Sequence, residues 1–338
     1  MTLRDFPKRT ILVSVLNWNS AAATFRCIQS ILELEVPNWA KLSILVIDNG
    51  SNEEQWSVLK ESLKTARVSL IRNQKNLGFA GGHNIALRMG LCDDLDYVWL
   101  VNSDAVVTPD SLNELIKKME EEPRCGAASP LILSIEDESV IDFCGARHDW
   151  ENINSITSTS VEETVAMEEK YPREMWLMGA AIFLRVEAIR QIGLLDEKLF
   201  AYYEDNDLCV RLSSAGWSSK MAFESRVLHN HPESRPHEKG AYYFYLMARN
   251  SFYFWLKHTP KRHKKLLRLK LIDRTMLVAN RLHYLGLHEK SNACLLGILD
   301  AQLGLSGEWN LNRSTPFYLN ILRRLLWKNH VHHLQLRN

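Results

Sequence analysis

Thr10 to Leu16 (TILVSVL) is a continuous apolar run rich in β-branched residues, the pattern of a strand buried on both faces. Asn17 to Ser20 closes it, and residues 21–34 then space Ala22, Phe25, Ile28, Ile31 and Leu32 at helical intervals. A second buried run, Leu42 to Ile47, ends at Asp48-Asn49-Gly50-Ser51. The rhythm continues with a helix over 53–65, a short strand Val68 to Arg72, a glycine-rich turn opening a helix over 78–90, and the strand Tyr97 to Val101. Strands alternating with helices predict an α/β fold, Rossmann-like, whose mostly parallel sheet is covered by helices on both faces. Ligands of such sheets bind where the carboxyl ends of strands meet loops. Polar residues fall at those ends: Asn17, Asp48 and the trio Asn102-Ser103-Asp104.

Beyond the fourth strand the pattern loosens. Residues 134–175 are acidic and rich in Ser and Thr (IEDES, VEETVAMEEK), which predicts loop and short strand. From 176 the apolar run WLMGAAIFLRV precedes a helical stretch at 185–193 and then FAYYEDNDLCVRLSSAGW. After Pro236 the spacing turns helical and stays so, predicting three or more basic amphipathic helices. The expected division is therefore an α/β domain over 1–235 and a helical region over 236–338. A chain of 338 residues exceeds the usual single-domain size, which agrees.

Charge sharpens that division. Residues 1–234 carry 23 Lys or Arg against 35 Asp or Glu, whereas residues 235–338 carry 18 against 5. A basic tail suits nucleic acid, an anionic membrane surface or an acidic partner. Its sequence, Lys261, Arg262, Lys264, Lys265, Arg268 and Lys270 beside Leu266, Leu267, Leu269 and Leu271, is that of helices that lie on anionic lipid, with a helical homodimer interface as the competing reading. There is no aromatic RNA-binding pattern or helix-turn-helix, so nucleic acid is not an expected partner. Six scattered cysteines with no CxxC pair indicate neither a zinc knuckle nor a disulfide framework, and reduced thiols in a cytosol are the default. No signal peptide is read at the N-terminus, and no window approaches the roughly 20 apolar residues of a membrane span.

Several pieces carry chemistry, each beside a plainer reading. Asp48 with Asn49-Gly50 is a polar strand end or simply a turn. Asp104 is delivered to a loop by a strand, as a carboxylate ligand for a divalent cation is, or it caps a helix. His229 and His231, two apart, share one face of a strand and either meets a metal or sits at the surface. Arg249, interrupting an aromatic helix with Asn250, either clamps a phosphate or snorkels. Glu204, Asp205 and Asp207 at a helix start offset the helix dipole, or one of them does chemistry.

Taken in order, VSVLNWNS, ILVIDNGSNE, NQKNLGFAGGHNIAL, YVWLVNSDAVVTPDSL, WLMGAAIFLRVEAIRQIGLLDEKLFAYYEDNDLCVRLSSAGW and VLHNHPES followed by RN resemble a family 2 glycosyltransferase of the GT-A fold, over about residues 1–255. The resemblance implies a nucleotide-sugar donor, dTDP-rhamnose among the candidates, a saccharide or lipid-linked saccharide acceptor, and Mg or Mn as cofactor. It implies an inverting transfer in cell-surface polysaccharide synthesis, carried out in the cytoplasm at the inner face of the membrane. The alternative is a non-catalytic nucleotide-sugar-binding scaffold. Carried over by position, Asn17, Asp48, Asn76, Gly78 and Asn102 would line the nucleotide pocket, and Asp104 with His229 would hold the metal, His231 being the substitute and Ser234 following. Asn102 stands where the family's metal motif begins with Asp. Trp176, Gly179, Ala180 and Arg249 would face the sugar or acceptor, with Asp205 as catalytic base and Glu204 orienting it. Asp207 reads as a first-turn helix charge.

Overall fold

In the computed structural model the apolar run at 10–16 becomes the central strand β1 (Arg9–Asn17), followed by α1 (Ala21–Leu32), β2 (Ala40–Asp48), α2 (Glu53–Ser62), β3 (Ser69–Arg72), α3 (Gly78–Cys92) and β4 (Tyr97–Asn102). Residues 8–229, 238–310 and 312–335 are described. Then come β5 (Ala105–Val107), α4 (Ser111–Glu121), β6 (Cys125–Ser134), β7 (Ile141–Phe143), β8 (Ala146–Asp149), β9 (Asn154–Thr157) and α5 (Val161–Lys170). The α/β part closes with β10 (Met175–Trp176), β11 (Ala181–Arg185), α6 (Val186–Ile192), α7 (Glu204–Ser214) and β12 (Ser218–His229).

The main sheet runs β3-β2-β1-β4-β11-β6-β12-β5, with β7 paired to β6. Its first four strands are parallel, as is the β6–β12 pair, while β11 and β5 run antiparallel to their neighbours. Side chains alternate across it with period two. Ile11, Val13, Val15, Tyr97, Trp99 and Val101 join one apolar cluster with residues of α1 and α4, whereas Leu12, Val98 and Leu100 join the other with residues of α3, α6 and α7. This two-faced burial is why β1 and β4 read as unbroken apolar runs.

The acidic segment at 134–175 is more ordered than its composition suggests. It builds β7 to β9 and, with β10, a three-stranded sheet in the order β10-β8-β9. It also builds α5, where the Ser160 side chain accepts from Glu163 N and Thr164, Met167 and Glu168 turn inward. An N-cap and inward residues at helical spacing outweigh the polarity.

The chain divides into two compact units, Met1–Glu197 with Glu204–His231, and Lys198–Tyr203 with Pro232–Asn338. The second unit thus includes a six-residue stretch from inside the α/β sequence, which a single cut at 235 does not foresee. Its helices are α8 (Ala241–His258), α9 (Leu267–Tyr284), α10 (His288–Leu303) and α11 (Phe317–Gln335). The basic stretch before α9 is not one continuous helix, because Lys261–His263 forms a 3-10 turn and Leu266 takes a left-handed conformation at φ 57°. Among the described residues no helix is long and apolar enough to cross a membrane.

Candidate active site

Strand register brings the polar strand ends together. Asn17 lies opposite Asp48, Leu16 opposite Asn102, and Asp48 opposite Arg72, all at the carboxyl edge of the parallel strands. Asn17 Nδ2 donates to Asp48 Oδ1 at 2.8 Å, and Asn17 Oδ1 accepts from Thr24 Oγ1 at 2.7 Å. Arg72 Nε stands 3.4 Å from Asp48 Oδ2, which also accepts from Ser51 N at 3.3 Å. Asp48 is fully buried and paired from both sides. Arg72, which the sequence reading passed over, was marked by its place as the last residue of a strand ending at this edge.

The glycine-rich turn is fastened to the same edge by Asn49, also passed over. Its Nδ2 donates to Asn76 Oδ1 at 2.9 Å and to Gly78 O at 3.1 Å, while its Oδ1 accepts from Asn73 Nδ2 and Leu77 N. Asn76 Oδ1 in turn accepts from Gly78 N at 2.8 Å. A side chain at Gly50 would put its Cβ 2.5 Å from the carbonyl carbon of Lys75, so the two loops approach too closely for any other residue.

At the end of β4 the chain turns into β5, and β5 pairs with β12 so that Ala105 faces His229. His229 Nε2 consequently lies 3.3 Å from Asp104 Oδ1 and 3.4 Å from Asn102 Nδ2, and its Nδ1 lies 3.3 Å from Asp142 Oδ2. Burial works to lower the His229 pKa, but the hydrogen bonds and charges of Asp104 and Asp142 outweigh it and raise the ring to about 9. A half-exposed carboxylate and a buried imidazole nitrogen facing each other are a donor set suited to a divalent cation whose remaining positions come from water or phosphate. Among the described residues no group of three or more such side chains could hold a metal unaided. His231 and Ser234 lie outside the described residues.

The acidic pair opens α7. Asp205 is partly exposed, its Oδ1 accepting from Asn206 N and Nδ2 and its Oδ2 from Gly179 N at 2.9 Å. Burial raises its pKa, and the bonds from Asn206 and Gly179 hold part of that rise back. Glu204 is buried, its Oε2 has no partner among the described residues, and burial followed by the charge of Asp205 pushes its pKa well above the usual carboxylate range. The two neighbours therefore differ: burial and a neighbouring charge act most strongly on Glu204, and Asp205 is the more exposed of the two. Asp207 pairs with Arg211 Nε at 2.7 Å, and Arg211 in turn bonds the carbonyls of Ile192, Gly193 and Leu194.

A run of bonds links the acidic pair to the imidazole. Asp205 accepts from Gly179 N, the adjacent Ala180 O accepts from Asn102 N at 2.8 Å, and Asn102 reaches His229. Trp176 sits against Phe143 with ring centroids 5.4 Å apart and stacks on His148, its Nε1 unpartnered among the described residues. Arg249, expected to face the sugar or acceptor, has its guanidinium engaged by protein oxygens. It is fully buried in the second unit, where its guanidinium donates to Gly307 O, Leu199 O and Asn250 Oδ1. Asn250 Nδ2 donates to the carbonyls of Leu199, Ala201 and Tyr202. An aromatic helix leaves little water to satisfy a guanidinium, and the carbonyls of an irregular segment satisfy it instead.

The model of the family described as "Glycosyl transferase family 2" matches residues 11–190. The chain belongs to that family. It is a glycosyltransferase with the expected GT-A fold and a helical C-terminal region. It is 30% identical over 214 residues to an N-acetylglucosaminyl-diphospho-decaprenol L-rhamnosyltransferase of Mycobacterium tuberculosis, covering 57% of this chain and 68% of that protein. It is 22% identical over 296 residues to the dTDP-rhamnosyl transferase RfbF of Shigella flexneri, covering 80% of this chain and 89% of that one. In fold it is similar to a mannosyltransferase from Pyrobaculum calidifontis in complex with GDP-Man and Mn2+, with a TM-score of 0.55, 15% identity, and coverage of 98% of this chain and 84% of that chain.

Proposed function

We propose that this glycosyltransferase is inverting and metal-dependent, moving a sugar from a nucleotide-sugar donor to a saccharide or lipid-linked saccharide acceptor in surface polysaccharide synthesis. The supporting observation is the hydrogen-bonded run that sets Asp205, Gly179-Ala180, Asn102 and the Asp104/His229 pair along one sheet edge. The buried Asn17, Asp48 and Arg72 group, with the loop held by Asn49 and Asn76, would receive the nucleoside.

Asp104 and His229 are the residues to hold Mg or Mn, which when bound supplies positive charge against the leaving diphosphate. Asp205 takes the proton of the acceptor hydroxyl as that oxygen attacks the anomeric carbon. Among the described residues Oδ2 accepts one hydrogen bond, from Gly179 N, which leaves it a lone pair for that proton. The Gly179 amide fixes the carboxylate so that the attack needs no reorganisation. Burial and the charge of Asp205 raise the Glu204 pKa well above its ordinary value, so a proton held by the pair favours Glu204 over Asp205.

The names of the two rhamnosyltransferase relatives make dTDP-rhamnose the first donor to test. Purified protein with dTDP-rhamnose, a polyprenyl-diphosphate saccharide and Mn2+ is expected to release dTDP and form a product whose anomeric configuration, read by NMR, is opposite to the donor's. Retention, or full turnover in the presence of a chelator, would overturn the inverting or the metal-dependent part respectively.

A further inference from the structure

Asp142 belongs to the acidic segment in which no functional residue was anticipated, and its position is set by an irregularity in the sheet. Along the β6–β7 ladder Ile132 pairs with Phe143 while the next residue, Leu133, pairs with Ile141. One residue of β7 is therefore extra, and that residue is Asp142. A bulge of this kind frees a side chain from the alternation of the strand and aims it independently of its neighbours. Here the freed carboxylate lies 3.3 Å from His229 Nδ1, on the side of the ring away from Asp104. The two nitrogens of one imidazole point in divergent directions, so Asp142 and Asp104 cannot serve the same ion through it.

We propose that Asp142 is a positioning residue for the metal site: it accepts the Nδ1 proton of His229, which fixes the tautomer and ring angle that present the Nε2 lone pair beside Asp104. The inference rests on the metal-dependent reading above. A metal-ligating imidazole commonly donates its second nitrogen to a carboxylate in this way, and loss of that partner commonly lowers metal affinity 10–100-fold. The bulge gives the arrangement a structural cause, because a regular β7 would leave Asp142 bound to the pleat.

The test uses the full-length protein with dTDP, UDP or GDP present, and follows Mn2+ binding by the loss of the free-ion EPR signal. Wild type is expected to show one saturable site, which Asp142→Ala weakens by about 10–100-fold and Asp142→Glu partly restores. Wild type without a saturable site under any of the three nucleotides would overturn the metal reading itself. Wild-type affinity in a folded Asp142→Ala protein would overturn the role of Asp142 and leave that reading standing. Long-range proton–nitrogen NMR of the Mg2+-loaded protein supplies a readout that a merely structural role would not move. His229 is expected to carry its proton on Nδ1 in wild type and to lose that preference in Asp142→Ala; an unchanged tautomer counts against the proposal even where affinity falls.

Discussion

Gly179 N donates to Asp205 Oδ2 at 2.9 Å, so the amide that opens the stretch before β11 fixes the carboxylate at the start of α7. An added Cβ at Gly179 would meet Phe79 Cζ at 3.2 Å and Asp205 Oδ2 at 3.5 Å. The small residue keeps the amide and the carboxylate at bonding distance. Asp205→Asn preserves the shape and removes the base, and transfer is expected to fall by about 10²–10⁴-fold. Donor affinity, measured by titration calorimetry, should stay within about threefold, since a base acts on the acceptor proton and adds little to ground-state binding. Near-normal turnover in that variant would move the base elsewhere.

Asp104→Ala and His229→Ala remove the two sides of the 3.3 Å pair. Each is expected to lower donor turnover by at least about 100-fold at fixed Mn2+, part of which returns as the metal concentration is raised. A saturation curve in Mn2+ separates this from misfolding, because a misfolded protein gains nothing from more metal. Turnover in either variant that matched wild type at every metal concentration would take that residue out of the site.

How much of this could be read in the amino-acid sequence follows from what pattern encodes. The runs at 10–16 and 42–47 are buried on both faces, so they announced their strands, and their polar ends announced the edge where Asn17, Asp48 and Asn102 meet. Asp142 was hidden because its direction depends on a one-residue slip in a ladder, which no periodicity records. Arg249 was read as a clamp or a snorkel, since a helical pattern says that a residue faces inward but not which carbonyls await it there. Phe200, Tyr202 and Tyr203 adopt left-handed backbone at φ 64°, 70° and 74° with no glycine to signal it. Such conformations persist where surrounding bonds impose them.

Those bonds yield a prediction of their own. Asn250 Nδ2 holds the carbonyls of Leu199, Ala201 and Tyr202 at 2.7, 2.8 and 2.8 Å, across the segment whose left-handed residues are costly for side chains with a Cβ. Asn250→Ala is expected to destabilise by on the order of 2 kcal/mol, because the part-buried carbonyls of Ala201 and Tyr202 lose this donor while Leu199 O keeps that of Arg249. Asn250→Asp should cost more still, because it sets a carboxylate against the same carbonyl oxygens. Urea denaturation of both variants checks the order; a harmless Asp substitution would show that these carbonyls do not need a donor.

Glu204 makes stability depend on pH in a definite direction. Its folded pKa is raised well above the ordinary 4.5 by burial and by Asp205, so the fold retains a proton that the unfolded chain releases. That contribution is complete below pH 4.5 and fades as pH climbs through the folded value, at no more than about 1.4 kcal/mol per pH unit. Glu204→Gln keeps the neutral shape and removes the titration. Its melting temperature is expected to match wild type near pH 4.5 and to exceed it increasingly toward alkaline pH. A constant difference across that range would mean that Glu204 is ionised in the folded protein.

The second unit presents an apolar face of its own. Phe317, Tyr318, Ile321 and Leu325 lie at helical spacing on α11 with Phe317 76% and Leu325 69% exposed, and Leu266 and Leu269 are exposed beside Lys265, Arg268 and Lys270. Exposed leucines and phenylalanine within a region of 18 basic and 5 acidic residues complement an anionic lipid surface. The protein is therefore expected to sediment with vesicles containing phosphatidylglycerol and to remain in solution with phosphatidylcholine alone. Phe317→Ser combined with Leu325→Ser should weaken that binding by on the order of tenfold or more, from the apolar area lost. Raising the salt concentration should weaken it further by screening the basic residues. Indifference to the lipid charge, together with a dimer in light scattering that the double substitution dissolves, would instead assign this face to a second copy of the chain.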